Sequence, residues 1–327
     1  MARTRCSLLS ALYSKEILNK NMKQISLLIA FVFCIQPIFA QTANSDTLEN
    51  SLLWEISGNG LETSSYLYGT IHIIPQKDFF MTDSTVEAFN KSKQVAFEID
   101  LDEMSNPFKM LGMMGGMMMK NSTTLKDLLE PEDYKRVHQF ILDSMGMPSY
   151  LAGMMEKVKP MFLSEMVGMD MSSMDKGSMG GTDENSTSYE MEFNEMAKER
   201  KMETKGLETV AYQLSIFDSI PYKDQALMLL DAIDNGGEEE AEALDELTQM
   251  YVNQDINGLN RMINGDGDLS NYTEILLVNR NKNWIPIMGK MANKKTTFFA
   301  VGAGHLPGKE GVIRLLRAAG YTVTAIK

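Results

Sequence analysis

Two short apolar runs of strand character, Tyr66-Leu67-Tyr68 and Phe298-Phe299-Ala300-Val301, are each followed at once by Gly-x-x-His. The two copies are Gly69-Thr70-Ile71-His72 and Gly302-Ala303-Gly304-His305, near opposite ends of the chain. With three histidines in all, the chain spends two of them in this one context. Glycine lets the backbone turn sharply or approach another group closely. A histidine just past a strand end points where open α/β sheets bind their ligands, and neutral imidazole is the commonest protein metal ligand. One copy alone reads more readily as a turn histidine; the matched pair brings a shared site level with that reading.

Strand patterns at both ends enclose a long helical middle. Leu52 to Ile56 and Tyr66 to Gly69 predict a β-hairpin around the turn-rich Ser57-Gly58-Asn59-Gly60. Ser84 to Ser92 predicts a short helix with a serine cap, and Gln94 to Asp100 a buried strand that carries Glu98 in its middle. Helix is predicted across 105–171, clearest from Pro131 to Met145, where Tyr134, His138, Ile141 and Met145 share a face. On that face His138 reads as a core-edge histidine. A Gly/Ser/Thr/Asp loop follows from Gly177 to Ser188. Next come a helix with Tyr189, Phe193, Met196 and Ala197 inward and a short strand near Thr204 to Leu207. Residues 209–264 read as mostly helical, with Glu238-Glu239-Glu240 a solvated helix start. Strand 297–302, helix 309–319 and strand 321–326 close the chain. The fold class this predicts is α/β: a mixed central sheet with a long, Met-rich helical insertion at about 104–190, in one domain over 41–327.

Residues 1–40 read as a signal peptide. Lys20 and Lys23 flank Met22, a possible true start; an apolar run covers Ile25 to Phe33, and Ile38-Phe39-Ala40 ends on a small residue. The run is short for a membrane span, and bulky Phe33 before Cys34 suits a lipoprotein signal poorly. The expectation is an exported protein, periplasmic or extracellular, with no integral span after cleavage. Both cysteines, Cys6 and Cys34, lie in this leader. A mature chain without cysteine has no disulfide, no thiol nucleophile and no zinc-thiolate site. Loss of the leader removes five basic residues and one acidic, taking the formal charge from −13 to −17. Such a surface repels phosphate backbones, so nucleic acid is excluded as a partner.

Six pieces in order resemble the TraB/GumN family: Trp54-Glu55-Ile56, Tyr68-Gly69-Thr70-Ile71-His72, Phe97-Glu98-Ile99-Asp100, Gly206-Leu207-Glu208-Thr209 with Gln213, Arg280-Asn281 with Trp284, and Val301-Gly302-Ala303-Gly304-His305-Leu306-Pro307-Gly308. They span nearly the whole mature chain. The family looks related to the Tiki Wnt-inactivating metalloproteases and, more distantly, to erythromycin esterases and a haem-binding lipoprotein group. The resemblance implies an α/β fold with a metal-dependent hydrolytic site made by the two histidines and nearby glutamates, acting on a peptide or another small molecule. Where many members show Gly-x-Asp, this chain reads Ser188-Tyr189-Glu190, which leaves the role of that aspartate open.

The chemistry of the residues agrees with that expectation. A metal that activates water needs nitrogen or oxygen ligands and one open position. His72, His305 and one carboxylate would supply a set suited to zinc, manganese, cobalt or iron. Glu98 lies in an otherwise apolar strand, where an unpaired carboxylate is costly; a metal would neutralise it, and so would an ion pair with Arg280. Glu208 follows its own strand as candidate general base or alternative ligand, against the plainer role of helix N-cap partner. Arg280, ahead of Trp284, is the candidate oxyanion stabiliser, or else a surface residue. The methionines are unusual: of 28, seventeen fall between Met104 and Met179. They suit adaptable packing or a partner surface, or soft ligation of copper(I). The rival to a hydrolase is therefore an extracytoplasmic binding protein on the same framework, holding haem, a metal or copper.

Overall fold

The structure is a computed structural model that describes residues 47–101, 107–143, 148–164, 166–167, 185–235, 238–265 and 270–327. The leader, the methionine run Met169 to Met174 and most of the Gly177–Ser188 loop lie outside these residues. Six strands form one mixed sheet: β1 (Leu53–Gly58), β2 (Ser65–Thr70), β4 (Gln94–Ile99), β6 (Glu203–Glu208), β7 (Thr297–Gly302) and β8 (Tyr321–Ile326), in the order β6-β4-β7-β2-β1-β8. The fold class is thus the mixed α/β arrangement expected. β6, β4, β7 and β2 run parallel, while β1 pairs antiparallel with both β2 and β8. The inner strands β2, β4 and β7 bury almost every residue, as strands covered on both faces do: all six positions of β2 and five of six in β4 and β7, whereas the edge strand β6 buries one. That is why their sequences are continuous apolar runs.

One face of the sheet carries an aromatic core. The helix Tyr189–Glu199 buries Tyr189, Phe193 and Ala197, a stripe at helical spacing. Phe193 meets Tyr68 at 5.2 Å and Phe298 at 4.9 Å between ring centroids, and Phe89 meets Phe298 at 5.2 Å. A second apolar cluster joins Leu125, Val137, Ile141, Ala152 and Leu163 to Ala226 and Leu229. The inserted helices therefore share a core with the later helix Tyr222–Asp234. Within the described Met-rich segment, Met119 and Met161 are buried while Met114 and Met154 are exposed.

Local differences from the sequence reading have simple causes. The second helix-forming stretch begins at Asp83 and is capped by Thr82, whose side chain accepts from the Thr85 amide at 3.1 Å; Ser84 lies inside the first turn. The helix from Pro131 is described to Asp143, with Val137 and Ile141 buried, and Met145 lies outside the described residues. His138 sits half-exposed on its flank, with Nδ1 2.8 Å from Glu156 Oε1. The helix Glu238–Val252 does start at the acidic run. A two-residue antiparallel pair, β3 (Ile74–Pro75) with β5 (Ser186–Thr187), was not foreseen. It fastens the end of the insertion to the loop after β2. Among the described residues, no helix is long and apolar enough to cross a membrane.

Candidate metal centre

The parallel strands β2, β4, β6 and β7 deliver their C-terminal ends to one edge of the sheet. Thr70 pairs with Gly302 and Ile99 with Glu208, so Glu98, Glu208 and both Gly-x-x-His turns meet there. Both leading glycines serve close approach and not a positive φ. A Cβ on Gly69 would lie 3.1 Å from Ala303 Cα, and one on Gly302 would lie 3.2 Å from Glu98 Oε1. A cavity of about 610 Å³ opens over this edge, and His72, Glu98, Arg280 and His305 all line it. Glu208 is not among its lining residues.

His305 is buried, with 5% of its side chain exposed. Its Nδ1 lies 2.6 Å from Asn281 Oδ1. The Asn281 amide is oriented by its nitrogen, which donates to the carbonyls of Glu310 (2.9 Å) and His305 (3.4 Å). Its oxygen therefore faces the imidazole, Nδ1 carries the proton, and Nε2 keeps a lone pair. Burial, reinforced by the nearby Arg280 charge and only partly opposed by Glu98, lowers the His305 pKa to about 3. The ring is neutral at physiological pH.

Glu98 is almost as buried. Oε1 accepts from the Gly302 amide at 2.9 Å and lies 3.7 Å from His305 Nε2; Oε2 accepts from Gln213 at 3.1 Å and from Arg280. Burial opposes its charge, but its neighbours His305 and Arg280 outweigh that and bring its pKa to about 2. Since His305 is neutral above about 3, Arg280, with a smaller contribution from His72, holds Glu98 ionised at neutral pH.

Arg280 is the hub. Its Nε and Nη2 donate to Glu208 Oε1 at 3.0 and 2.6 Å, Nη2 also reaches Glu98, and Nη1 donates to the Leu276 carbonyl and to His305 Nε2, both at 3.1 Å. The local helix geometry explains the position. Residues Glu274–Val278 form a π-turn that runs straight into the helix Asn279–Ala292, and such turns concentrate at functional sites. Trp284, one helical turn on, donates from Nε1 to Glu208 Oε2 at 3.0 Å and lies 4.9 Å below the guanidinium. Glu208 thus has both oxygens engaged. Burial raises its pKa in spite of the Arg280 and Trp284 bonds, with Glu98 adding to the rise, because one arginine serves two carboxylates.

His72 stands at the cavity mouth with 71% of its side chain exposed. Its Nδ1 lies 2.9 Å from Glu190 Oε1, which also accepts from Thr70 at 2.6 Å; Ser188 donates to Glu190 Oε2 at 2.9 Å. The bond to Glu190 raises the His72 pKa to about 9. Glu190 itself is lowered, its burial outweighed by His72. Sequence reasoning had left Glu190 without a role; the β3–β5 pair sets it beside His72. Asn281 and Gln213 had appeared only as motif residues.

Among the described residues, no three His, Cys, Asp or Glu side chains are gathered closely enough to hold an ion. The donors nevertheless fit one by kind. His305 offers a free lone pair, and its 3.7 Å spacing from Glu98 Oε1 suits two ligands at about 2.0–2.2 Å from one metal. Arg280 is the cation now at that place. Of the two methionine runs behind the copper reading, Met113 to Met119 lies within the described residues and Met169 to Met174 outside them.

A family profile described as the TraB/PrgY/gumN family matches residues 52–325. Metalloprotease TIKI1 of Danio rerio is 23% identical over 337 residues, covering 88% of this chain and 65% of that protein. Metalloprotease TIKI2 of Xenopus tropicalis is 23% identical, covering 84% of the chain and 59% of that protein, and Metalloprotease TIKI1 of Homo sapiens is 23% identical, covering 84% and 61%. The chain spans less than two thirds of the length of each of these curated relatives. No solved structure matches it.

Proposed function

Because the chain belongs to the TraB/PrgY/gumN family, we propose that it is an exported metal-dependent hydrolase that cleaves peptide bonds, the activity its TIKI relatives are named for. One observation carries the reading. Each Gly-x-x-His imidazole has Nδ1 bound to a side-chain oxygen, Glu190 for His72 and Asn281 for His305, so ligation would fall to the Nε2 atoms, with Arg280 Nη1 leaving that of His305 and His72 giving up a proton. Orienting a metal-binding imidazole through its far nitrogen is how such ligands are fixed.

The ion would be held by His72, His305 and Glu98; zinc, manganese, cobalt and iron all suit that set. Bound there, it would polarise a substrate carbonyl and lower the pKa of a water to about 7. The remaining work falls to the chain. Asn281 keeps the proton on His305 Nδ1. Arg280 Nη1, on leaving Nε2, retains the Leu276 carbonyl and supplies hydrogen bonds to the negative charge that develops on the carbonyl oxygen. Glu208 and Trp284 hold the guanidinium on its far side, so Glu208 acts through Arg280. The apolar cavity walls exclude water from the reacting bond.

A second reading has one observation of its own: Arg280 already satisfies Glu98 and His305, as a binding protein that had lost turnover would keep it. An internally quenched peptide library, offered to metal-loaded protein, separates the two. Cleavage abolished by a chelator and by the His72→Ala/His305→Ala double variant is expected. Metal binding with no cleavage of any peptide favours the binding protein, and cleavage indifferent to chelation rules out the metal mechanism.

A further inference from the structure

We infer that the cavity selects peptides with a bulky aliphatic or aromatic side chain beside the bond to be cut, and disfavours charged ones there; this rests on the hydrolase reading above. Three apolar walls physically touch the polar centre. Ile263, from the helix Ile256–Ile263, reaches Gly304 so closely that a Cβ there would lie 2.7 Å from its Cδ1. Leu276 lines the cavity while its carbonyl holds Arg280. Leu214 lines it next to Gln213, which donates to Glu98. Farther out, Phe162 and Phe217 meet edge-to-face at 4.9 Å and line the same space.

These walls offer a charged side chain nothing. Among the described residues, the charged groups lining the cavity are His72, Glu98 and Arg280, and each is already tied to a partner: His72 to Glu190, and Glu98 to Arg280. A charge placed against Ile263, Leu276 or Phe162 would lose its water without gaining a counter-ion. An apolar side chain gains by leaving water. The volume, about 610 Å³, lies within the ordinary range for ligand sites and exceeds what one side chain fills. It has room for the residue and its flanking backbone. Ile263, Leu276 and Phe162 are only half-buried, so they have apolar surface still to cover.

The test reads binding and cleavage separately. Zinc-loaded full chain is titrated by saturation-transfer NMR with capped pentapeptides Ac-Ala-Ala-X-Ala-Ala-amide, where X is Leu, Phe, Gly, Asp or Lys. Peptide cleavage is followed in the same samples by mass spectrometry. Leu and Phe peptides are expected to bind about ten- to a hundredfold tighter than the Asp and Lys peptides. Phe162→Ala and Ile263→Ala, each checked for retained fold by circular dichroism, should narrow that ratio. Equal affinity for all five peptides, no saturable binding of any, or a preference untouched in both folded variants would overturn the inference. Apolar-selective binding without cleavage sinks the hydrolase reading and leaves the selectivity standing; cleavage without apolar preference does the reverse.

Discussion

At the residue scale, the site is an arginine surrounded by groups that need a cation. Glu98, Glu208 and the His305 lone pair all turn to Arg280, which is how two buried carboxylates are tolerated. The roles proposed for them separate by substitution. Glu98→Gln should weaken metal binding, because a ligand charge is gone. Glu208→Gln should leave metal bound and lower kcat on the order of 10²-fold, the usual cost of one misplaced electrostatic group. Paired metal titrations and steady-state kinetics check this contrast, and the reverse pattern would exchange the two roles. Glu190→Ala and Asn281→Ala, which release the far nitrogens of His72 and His305, should each cost about 10–100-fold in metal affinity, read by competition with a chelating dye. Glu98, Glu208 and both histidines were legible because each is a polar residue in an apolar or strand-end context, and Arg280 through its place in the Arg280-Asn281…Trp284 piece of the family resemblance. Glu190 was not, because nothing in its own helix marks it; its contact depends on a partner more than a hundred residues away in the chain.

At the element scale, the inner parallel strands β2, β4 and β7 announced themselves, since largely apolar runs between turn residues have few other uses. The β3–β5 pair did not, being two residues long with a proline in one strand. The π-turn before Arg280 is equally silent in sequence, because its residues also suit an α-helix. A second clamp ties elements beside the cavity. Lys159, 1% exposed, reaches Asp218 Oδ1 and the Leu214 carbonyl, both at 2.8 Å, just before the helix Pro160–Ser164. Burial opposes the Asp218 charge, but the bond to Lys159 outweighs it and lowers the pKa. A carboxylate lowered in the folded state adds stability above its unfolded pKa of about 3.9 and loses it as pH falls through the lower folded value. Thermal melts should therefore fall more steeply below about pH 4 in the wild type than in Asp218→Asn. At neutral pH that variant should be less stable by about 3–5 kcal/mol, since it strands a buried lysine. Parallel melting curves at the two pH values would contradict the clamp.

At the scale of the whole molecule, a sheet whose parallel strands end at one edge gathers residues from positions 72, 98, 208, 280 and 305 of the chain. Helices from the insertion and from the later half roof the cavity. The aromatic core behind the sheet underlies this arrangement, and Phe193→Ala, which empties its centre, should cost about 3–5 kcal/mol in denaturant unfolding. The sequence made the sheet and its two histidine turns predictable, but which helices cover the site depends on packing between segments far apart, and local pattern does not encode that. The central claim is that His72 and His305 share one ion. Elemental analysis of full-length protein loaded with zinc or manganese and then desalted tests it most directly, with His138→Ala as the control for the third histidine. About one ion per chain is expected in the wild type and in His138→Ala, with almost none in His72→Ala/His305→Ala. Metal retained by the folded double variant, or absent from the wild type, would contradict the account.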